Sequence, residues 1–412
     1  MRRRNNLLAL VLLGLFAAAG VWYFRAYVEP KPFGIVLFVG EGLVPGKLTA
    51  ARLYDGGADR RLAINSLPHT AILSTHAADF AVPDAASAAS ALACGHKVNN
   101  RALGIDPAGR PQPSLLELAR RRGRATGLVT NGSLTDPAPA AFYAHAADAR
   151  NRAPLAAQLT GGGIAVLLGG GSADFLPTGA GGTRTDGRDL LAPLAGPGGH
   201  HLLRTRAELL AVPPWSADRL LGLFAPDALP FHERTGAATP IQPTLSEMVA
   251  TALGTLQRRR GGYLLVVDAG LVGRASLTND TERTLQELVE LDRAVAVALQ
   301  YAGSKTLVVV AGGESTGGLA LNGYPLRQDR GVSLMGGGVN AQGFPSFTWA
   351  TGPAGPAAVG SPSDAPAPAA FRSPYADNVA EDALAAGFGP GSDRLRGFVD
   401  NTFVFEVIRS QL

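Results

Sequence analysis

The chain has 412 residues, which is enough for one large domain or two of ordinary size. Hydrophobic residues make up 46% of the sequence and charged residues 17%, as expected for a protein with a substantial core. The net charge of +4 is small, and the basic runs at 2–4 and 258–260 are interpreted as part of a targeting signal and a solvated helix end, so we predict no nucleic-acid partner. The single cysteine, Cys94, excludes an internal disulfide.

The first segment, residues 1–29, has the pattern of an export signal. Basic residues at 2–4 precede an apolar run of about 18 residues, which is long enough to span a bilayer. Trp22 and Tyr23 at its end are typical of an interfacial anchor, whereas 17–19 could serve a signal peptidase. We therefore predict an exported protein, held in the membrane by its N-terminus with the domain on the non-cytoplasmic side. The alternative is cleavage, which would leave it periplasmic or secreted.

The rest of the chain alternates between strand and helix patterns. Short apolar runs without polar alternation predict buried strands at 33–40, 124–130, 164–171, 263–268 and 306–313. Helical patterns lie at 113–123, 244–256 and 284–299. This order predicts an α/β fold with a mostly parallel central sheet flanked by helices.

Residues 30–412 are predicted to form a single domain. A stretch rich in Gly, Pro and Ala at about 336–395 is interpreted as a surface excursion. The final segment, 400–408, is predicted to return as a strand or helix that docks on the main domain.

Acidic or glycine residues follow most of the predicted strands. Because ligands of open α/β sheets bind at the carboxyl ends of the strands, chemistry is expected there. We therefore expect Glu41, the 130–136 loop, Asp268 and the 312–314 turn to be neighbours in space.

Several motifs, in order along the chain, resemble the alkaline phosphatase family. They are G-I-V-L-F-V-G-E-G-L from residue 34, A-T-G-L-V-T from 125, P-A-A-F-Y-A-H from 139, the Gly-rich 158–171 stretch, and T-L-V-V-V-A-G-G-E-S-T-G-G-L from 306. The resemblance implies an alkaline-phosphatase-like α/β sandwich. It also implies hydrolysis of phosphomonoesters with a Ser nucleophile, two Zn ions and one Mg ion.

The position that matches the family's nucleophile is Ala85, which follows Asp84. Alanine has no group that can attack phosphorus. Ser87, two residues on, would point away on a helix and is interpreted as a hydroxyl that satisfies backbone N–H groups.

The positions that match the family's Zn ligands have also lost their ligating side chains. One site would need an acid and two His residues, but the matching positions are Gly273, Leu277 and the Gly-rich stretch around Ala341. The other would need Asp-His, where this chain has Gly313 and Glu314. We therefore predict that the two-Zn centre is absent.

Carboxylates are retained where the family binds Mg. Glu41, Asp136 and Asp268 match that site, and Glu314 lies close by. Four oxygen ligands predict a site for one Mg or another hard divalent cation. The alternative is that these acids are satisfied by backbone N–H groups and by arginine, with Arg274 as an internal source of charge.

An arginine that grips phosphate is also implied by the resemblance. We place it at Arg150, and a one-residue uncertainty in register leaves Arg152 as the alternative.

These losses predict a catalytically inactive pseudophosphatase that binds a partner, either an unknown protein or a small phosphorylated ligand. The alternative is a metal-dependent phosphoric ester hydrolase with a remodelled site, in which the metal activates water directly. Whether the protein is an enzyme, and whether it forms a homodimer, both stay open at this point.

Overall fold

The computed structural model of the protein describes residues 2–23, 33–196, 198–213, 219–231, 242–322, 326–336, 345–356 and 367–412. The strands in this part of the chain are β1 Gly34–Gly40, β2 His69–Ser74, β3 Ala125–Ser133, β4 Val166–Gly170, β5 His201–Leu203, β6 Leu220–Leu223, β7 Tyr263–Asp268, β8 Thr306–Gly312, β9 Ser315–Thr316, β10 Ala320–Leu321, β11 Phe347–Gly352, β12 Ala369–Arg372, β13 Asn378–Val379, β14 Ala383–Phe388 and β15 Gly397–Asp400. The helices are α1 Arg2–Tyr23, α2 Pro45–Gly56, α3 Ala85–Cys94, α4 Leu115–Arg121, α5 Pro137–Ala140, α6 Arg152–Gly161, α7 Leu191–Leu194, α8 Arg206–Leu210, α9 Leu245–Leu256, α10 Gly270–Leu277, α11 Thr281–Tyr301, α12 Val332–Gly336 and α13 Thr402–Gln411.

A ten-stranded sheet organises the domain. Its order is β15-β2-β14-β8-β1-β7-β3-β4-β6-β5, and only β14 runs antiparallel to its neighbours. All five predicted strands are confirmed as β1, β3, β4, β7 and β8, and the predicted mostly parallel sheet is confirmed with them.

Strand β1 shows why these runs lack polar alternation. Ile35 and Leu37 pack into a core on one face of the sheet with α3, α4 and α13, whereas Val36 and Phe38 pack into a second core with α2, α9 and α11. Successive side chains of a strand point to opposite faces. A sheet covered by helices on both faces therefore requires apolar residues at every position.

The three predicted helices are confirmed as α4, α9 and α11. In α11 the buried residues Leu285, Leu288, Leu291 and Val295 recur every three or four positions and face the second core. That spacing places them on one stripe of the helix. The terminal segment, predicted as a strand or helix, forms β15 and then α13.

The N-terminal segment forms α1, whose large apolar residues Leu10, Leu13 and Phe16 are exposed. Among the described residues, no helix is both long and apolar enough to cross a membrane.

Part of the Gly/Pro/Ala-rich stretch, which was predicted to be a surface excursion, lies inside the main sheet. Residues 383–388 form β14, which lies inside the main sheet between β2 and β8. Gly387 lets Leu395 pack closely on this strand, because a Cβ at Gly387 would come within 2.8 Å of the Leu395 side chain. Parts of the stretch, 337–344 and 357–366, lie outside the described residues.

Candidate active site at the carboxyl edge of the sheet

Four carboxylates lie at the ends of four adjacent parallel strands. β8, β1, β7 and β3 are neighbours in that order, and Val39 pairs with Asp268, which pairs in turn with Thr130. Glu41 follows β1, and Glu314 follows β8, where Gly40 pairs with Gly312. The structure therefore brings Glu41, Asp136, Asp268 and Glu314 together, as the strand ends predict.

Burial and mutual repulsion both act on these groups. Asp268 is fully buried and Glu314 nearly so, and desolvation raises the pKa of each to about 7. Burial also raises the pKa of Glu41 well above its usual value, and the charges of Glu314 and Asp268 add to that rise. The site therefore favours partial protonation, or a positive charge placed among the acids.

Lys47 supplies one such charge. It lies in the first turn of α2, is fully buried, and donates from Nζ to the backbone oxygen of Thr316 at 2.7 Å. Its Nζ also lies 5.7 Å from the ring centre of Trp349. Desolvation lowers the pKa of Lys47 to about 8, against the opposing pull of Glu381, Glu314 and Glu41. The ammonium thus remains largely charged at neutral pH and compensates acids of the site.

Two arginines neutralise Asp136, the acid that follows β3. Asp136 accepts from Arg152 and, at 3.0 and 3.1 Å, from Nη2 of Arg274. Both guanidiniums also bind Asp227, at 2.9 Å from Arg152 and 2.7 Å from Arg274. Burial opposes ionisation of Asp227, but these two arginines lower its pKa to about 2. Two cations and two carboxylates therefore form a partly exposed network beside the buried acids, and Arg152 extends it to Asp174 at 3.5 Å.

The structure separates the two candidates for the phosphate-binding arginine. Arg150 is exposed, and its guanidinium is paired with Asp148, two residues away. Arg152, the alternative in register, reaches Asp136 and the rest of the network. Arg152 is therefore the one that lies at the candidate site.

Ala85, the position that the resemblance matches to the nucleophile, lies at the beginning of α3. Asp84 caps this helix by accepting from the Ser87 backbone N–H at 2.8 Å, and the Ser87 hydroxyl accepts from the Asp84 N–H at 3.1 Å. The interpretation of Ser87 as a capping hydroxyl is confirmed. The first turns of α3 border the end of β8, because the Asp84 charge acts on Glu314 and a Cβ at Gly313 would lie 3.9 Å from Ala88. Ala85 thus stands beside the acids with only a methyl group.

Glu41 occupies the space beside Gly273, a position that the resemblance matches to a Zn ligand. A Cβ built on Gly273 would lie 2.0 Å from Oε2 of Glu41. The Glu41 side chain thus fills the room that a side chain at 273 would need. Leu277, on the same helix, is partly exposed, and Ala341 lies outside the described residues.

One carboxylate oxygen of the cluster is suited to bind a hard cation. Oδ2 of Asp268 accepts from Thr130 at 2.6 Å, but its buried Oδ1 has no hydrogen-bond partner in the described structure. Buried oxygens without partners are uncommon, and an oxygen-only set suits Mg. However, no three His, Cys, Asp or Glu side chains of the described ranges converge as a metal centre. The metal role of Glu41, Asp136, Asp268 and Glu314 stays a prediction.

Comparison with known proteins places this arrangement in a family. The family profile named Alkaline phosphatase matches residues 34–343. The streptomycin-6-phosphate phosphatase of Streptomyces griseus is 32% identical over all of this chain and 97% of its own length. The membrane-bound alkaline phosphatase of Bombyx mori is 31% identical over 73% of this chain and 63% of its own.

Solved structures show the same fold. A variant of the alkaline phosphatase from the Antarctic bacterium TAB5, with Mg bound in its M3 site, superposes with a TM-score of 0.73. The match covers 92% of this chain and 98% of the other at 21% identity. The chain belongs to the alkaline phosphatase family, and the resemblance found in its motifs is confirmed.

Sequence reasoning missed Lys47 and Asp227. Asp227 follows β6 and could have been found by the same strand-end argument that located the other acids. Lys47 carried a weaker signal, because a cation in the first turn of a helix opposes the helix dipole and therefore needs a local reason.

Proposed function

We propose that this protein binds a phosphorylated ligand in the alkaline phosphatase fold without hydrolysing it. The observation that carries the proposal is Ala85, a methyl group where the family's pattern has the attacking hydroxyl. The neighbouring hydroxyl of Ser87 is committed to its helix cap. A side chain without an ionisable oxygen forms no phosphoryl intermediate.

Side-chain cations support the same proposal. Lys47 lies among Glu41 and Glu314, and Arg274 and Arg152 lie on Asp136. Together they offset the carboxylates at an edge where the family is implied to bind metal ions. Of the three, Arg152 and Arg274 are partly exposed and available to a phosphate, but a guanidinium does not by itself activate a nucleophile.

The ligand would be gripped by Arg152 and Arg274. Their side chains are 34% and 30% exposed, so their guanidiniums can be reached from solvent. Planar guanidinium groups match phosphate oxygens in pairs, which makes arginine the preferred residue for this contact. Asp136 and Asp227 hold both groups in place before a ligand arrives.

Calorimetry with p-nitrophenyl phosphate tests the binding. Release of p-nitrophenol from the same compound, measured with Zn and Mg added, tests turnover. We expect binding without turnover. Arg152→Gln should weaken binding by roughly tenfold to a hundredfold, since a charge-assisted hydrogen bond contributes about 1.5–3 kcal/mol. Arg150→Gln is the matched control, because that arginine is exposed and paired with Asp148, and it should change affinity less than about twofold.

Steady turnover by the purified protein, lost on replacement of Glu41, would reject the proposal. Equal loss of binding in both arginine variants would reject the assignment of Arg152.

A second candidate, a hydrolase with a remodelled site, is favoured by the Oδ1 of Asp268 that has no partner among the described residues. A hard cation there would be held by Glu41, Asp136, Asp268 and Glu314. When bound, it would offset negative charge on a phosphate ester. Thr130 would fix the orientation of the Asp268 carboxylate through its 2.6 Å hydrogen bond.

Metal content and kinetics separate the two candidates. One divalent ion per chain, with Mg-dependent turnover that disappears in Asp268→Asn, would establish the second candidate. A metal-free protein that is inactive at every Mg concentration would exclude it.

We also infer that the protein is exported. The basic-then-apolar N-terminus supports this inference, and the membrane-bound relative from Bombyx mori is consistent with it. Fractionation of cells that express the full chain, with protease added from outside, tests the location. A domain that is protected until the cytoplasm is opened would overturn it.

A further inference from the structure

The edge of the sheet opposite the candidate site is strongly basic. Five parallel strands begin there, β3, β4, β5, β6 and β7, and a cleft of about 830 Å³ opens between the segments that lead into them. Its charged lining consists of Arg120, Arg124, Arg219, Arg259 and Arg260. We call this surface the basic edge.

Negative charge is missing from the described lining of this cleft. The remaining residues are mainly glycines, with Ala, Thr and His201, and none is acidic. Arg121, Arg122 and Arg258 adjoin the lining in sequence and are exposed. Like charges repel, so a cluster of this kind costs stability unless an anion offsets it.

One arginine gives a second observation in the same place. The buried Nε of Arg219 makes no hydrogen bond to any described residue. Buried donors of this kind usually have a partner. A bound anion in the cleft would supply one.

The basic edge is also where the chain enters the domain. Phe33, the first described residue after α1, accepts from Arg124 at 3.1 Å and from the backbone of Tyr263 at 3.0 Å. Its N–H donates to the backbone oxygen of Lys305, an exposed lysine that precedes β8 at this edge. Residues 24–32 join Phe33 to α1, and a chain of that length reaches at most about 35 Å.

Helix α1 presents large apolar side chains to its surroundings on several faces. Leu10, Leu12, Leu13, Leu15 and Phe16 are each more than half exposed. An apolar helix of this kind is stable when its side chains lie in lipid. The linker tethers it within reach of the basic edge.

We propose that the basic edge docks on the anionic headgroups of the membrane to which α1 binds. The lipid phosphates would enter the cleft between Arg120, Arg219 and Arg260, and α1 would hold them at high local concentration. This goes beyond the proposed function and is independent of it. Strands of about 20 Å separate the two edges, so docking would turn the candidate site away from the bilayer.

Amide hydrogen exchange of the full chain in lipid nanodiscs tests the proposal. One set of discs contains phosphatidylcholine alone, and the other contains phosphatidylglycerol as about a third of its lipid. Each arginine near an anionic surface contributes about 1 kcal/mol, so we expect residues 120–125 and 257–263 to exchange at least about tenfold more slowly in the anionic discs. Salt at about 0.5 M should remove this protection by screening.

Matched variants locate the contact. Arg120→Gln combined with Arg260→Gln removes two exposed charges of the basic edge and should abolish the protection. Arg188→Gln combined with Arg372→Gln removes two exposed charges elsewhere and should leave it intact. Exchange in the buried strands reports in both cases that the domain is folded.

Equal exchange in the two kinds of disc would overturn the proposal, as would loss of protection in both double variants. Inorganic phosphate or a single-stranded oligonucleotide could instead protect these residues in neutral discs, with no further effect of phosphatidylglycerol. That result would assign the cleft to another anion and would also overturn the proposal.

Discussion

Replacing Lys47 with methionine tests how the charges of the candidate site are balanced. Met keeps most of the apolar stem, so little cavity forms, but the ammonium is lost. The backbone oxygen of Thr316 then loses its 2.7 Å donor, and Glu41, Glu314 and Glu381 lose a compensating charge. A buried acceptor left without its donor costs about 1–3 kcal/mol, and the lost compensation of the carboxylates adds to this cost near neutral pH.

The deficit should depend on pH in a defined window. A carboxyl whose folded pKa is raised contributes stability at low pH and loses it as pH rises through that value, which is about 7 for both Asp268 and Glu314. The variant therefore approaches the native protein in stability below pH 7. The folded pKa of Lys47, about 8, lies below its unfolded value, so the native protein loses no stability from this group as pH rises above 8. The difference therefore appears as pH rises through about 7 and stays large at higher pH.

Urea unfolding followed by circular dichroism measures this difference at about pH 5.5, 7.5 and 9. Lys305→Met is the control, because the Lys305 side chain is exposed and its replacement should change stability by less than about 0.5 kcal/mol. Added Mg should stabilise Lys47→Met more than the native protein if the acids then accept a cation. A deficit below about 1 kcal/mol, or one equal at every pH, would refute the charge balance described here.

Two further substitutions probe the fold around the site. Gly273→Ala places a Cβ 2.0 Å from Oε2 of Glu41, so we expect thermal unfolding to show a loss of about 1–3 kcal/mol in stability. Gly254→Ala is the control, because Gly254 has open space around it inside α9, and it should be neutral or stabilising. A neutral Gly273→Ala would show that Glu41 is free to move. Glu117→Gln should lower the free energy of unfolding by about 1 kcal/mol between roughly pH 4.5 and 6.5. Burial opposes ionisation of Glu117, but His145 lowers the pKa of Glu117 to about 2. The hydrogen bond to Glu117 in turn raises the pKa of His145. Its contribution is lost as pH falls toward 2 and as pH rises above the His145 value, and a Tm difference that does not change with pH would contradict the pairing.

The sequence by itself determined the strands and their end positions. Uninterrupted apolar runs such as 33–40 and 263–268 have one stable solution, a sheet covered on both faces, so local pattern was sufficient. Strand ends then located Glu41 and Asp268, because parallel strands bring their carboxyl ends to the same edge. The strand at 383–388 was missed, since a run of small residues carries little local signal.

Tertiary structure alone decided which charges meet. Arg150 and Arg152 are equivalent by sequence, but the beginning of α6 directs Arg152 to Asp136 and leaves Arg150 with Asp148. Long-range electrostatics has no period along the chain, so no pattern could reveal the partner of Lys47, 269 residues away at Thr316. The basic edge arises likewise because parallel strands bring separate loops together at their amino ends.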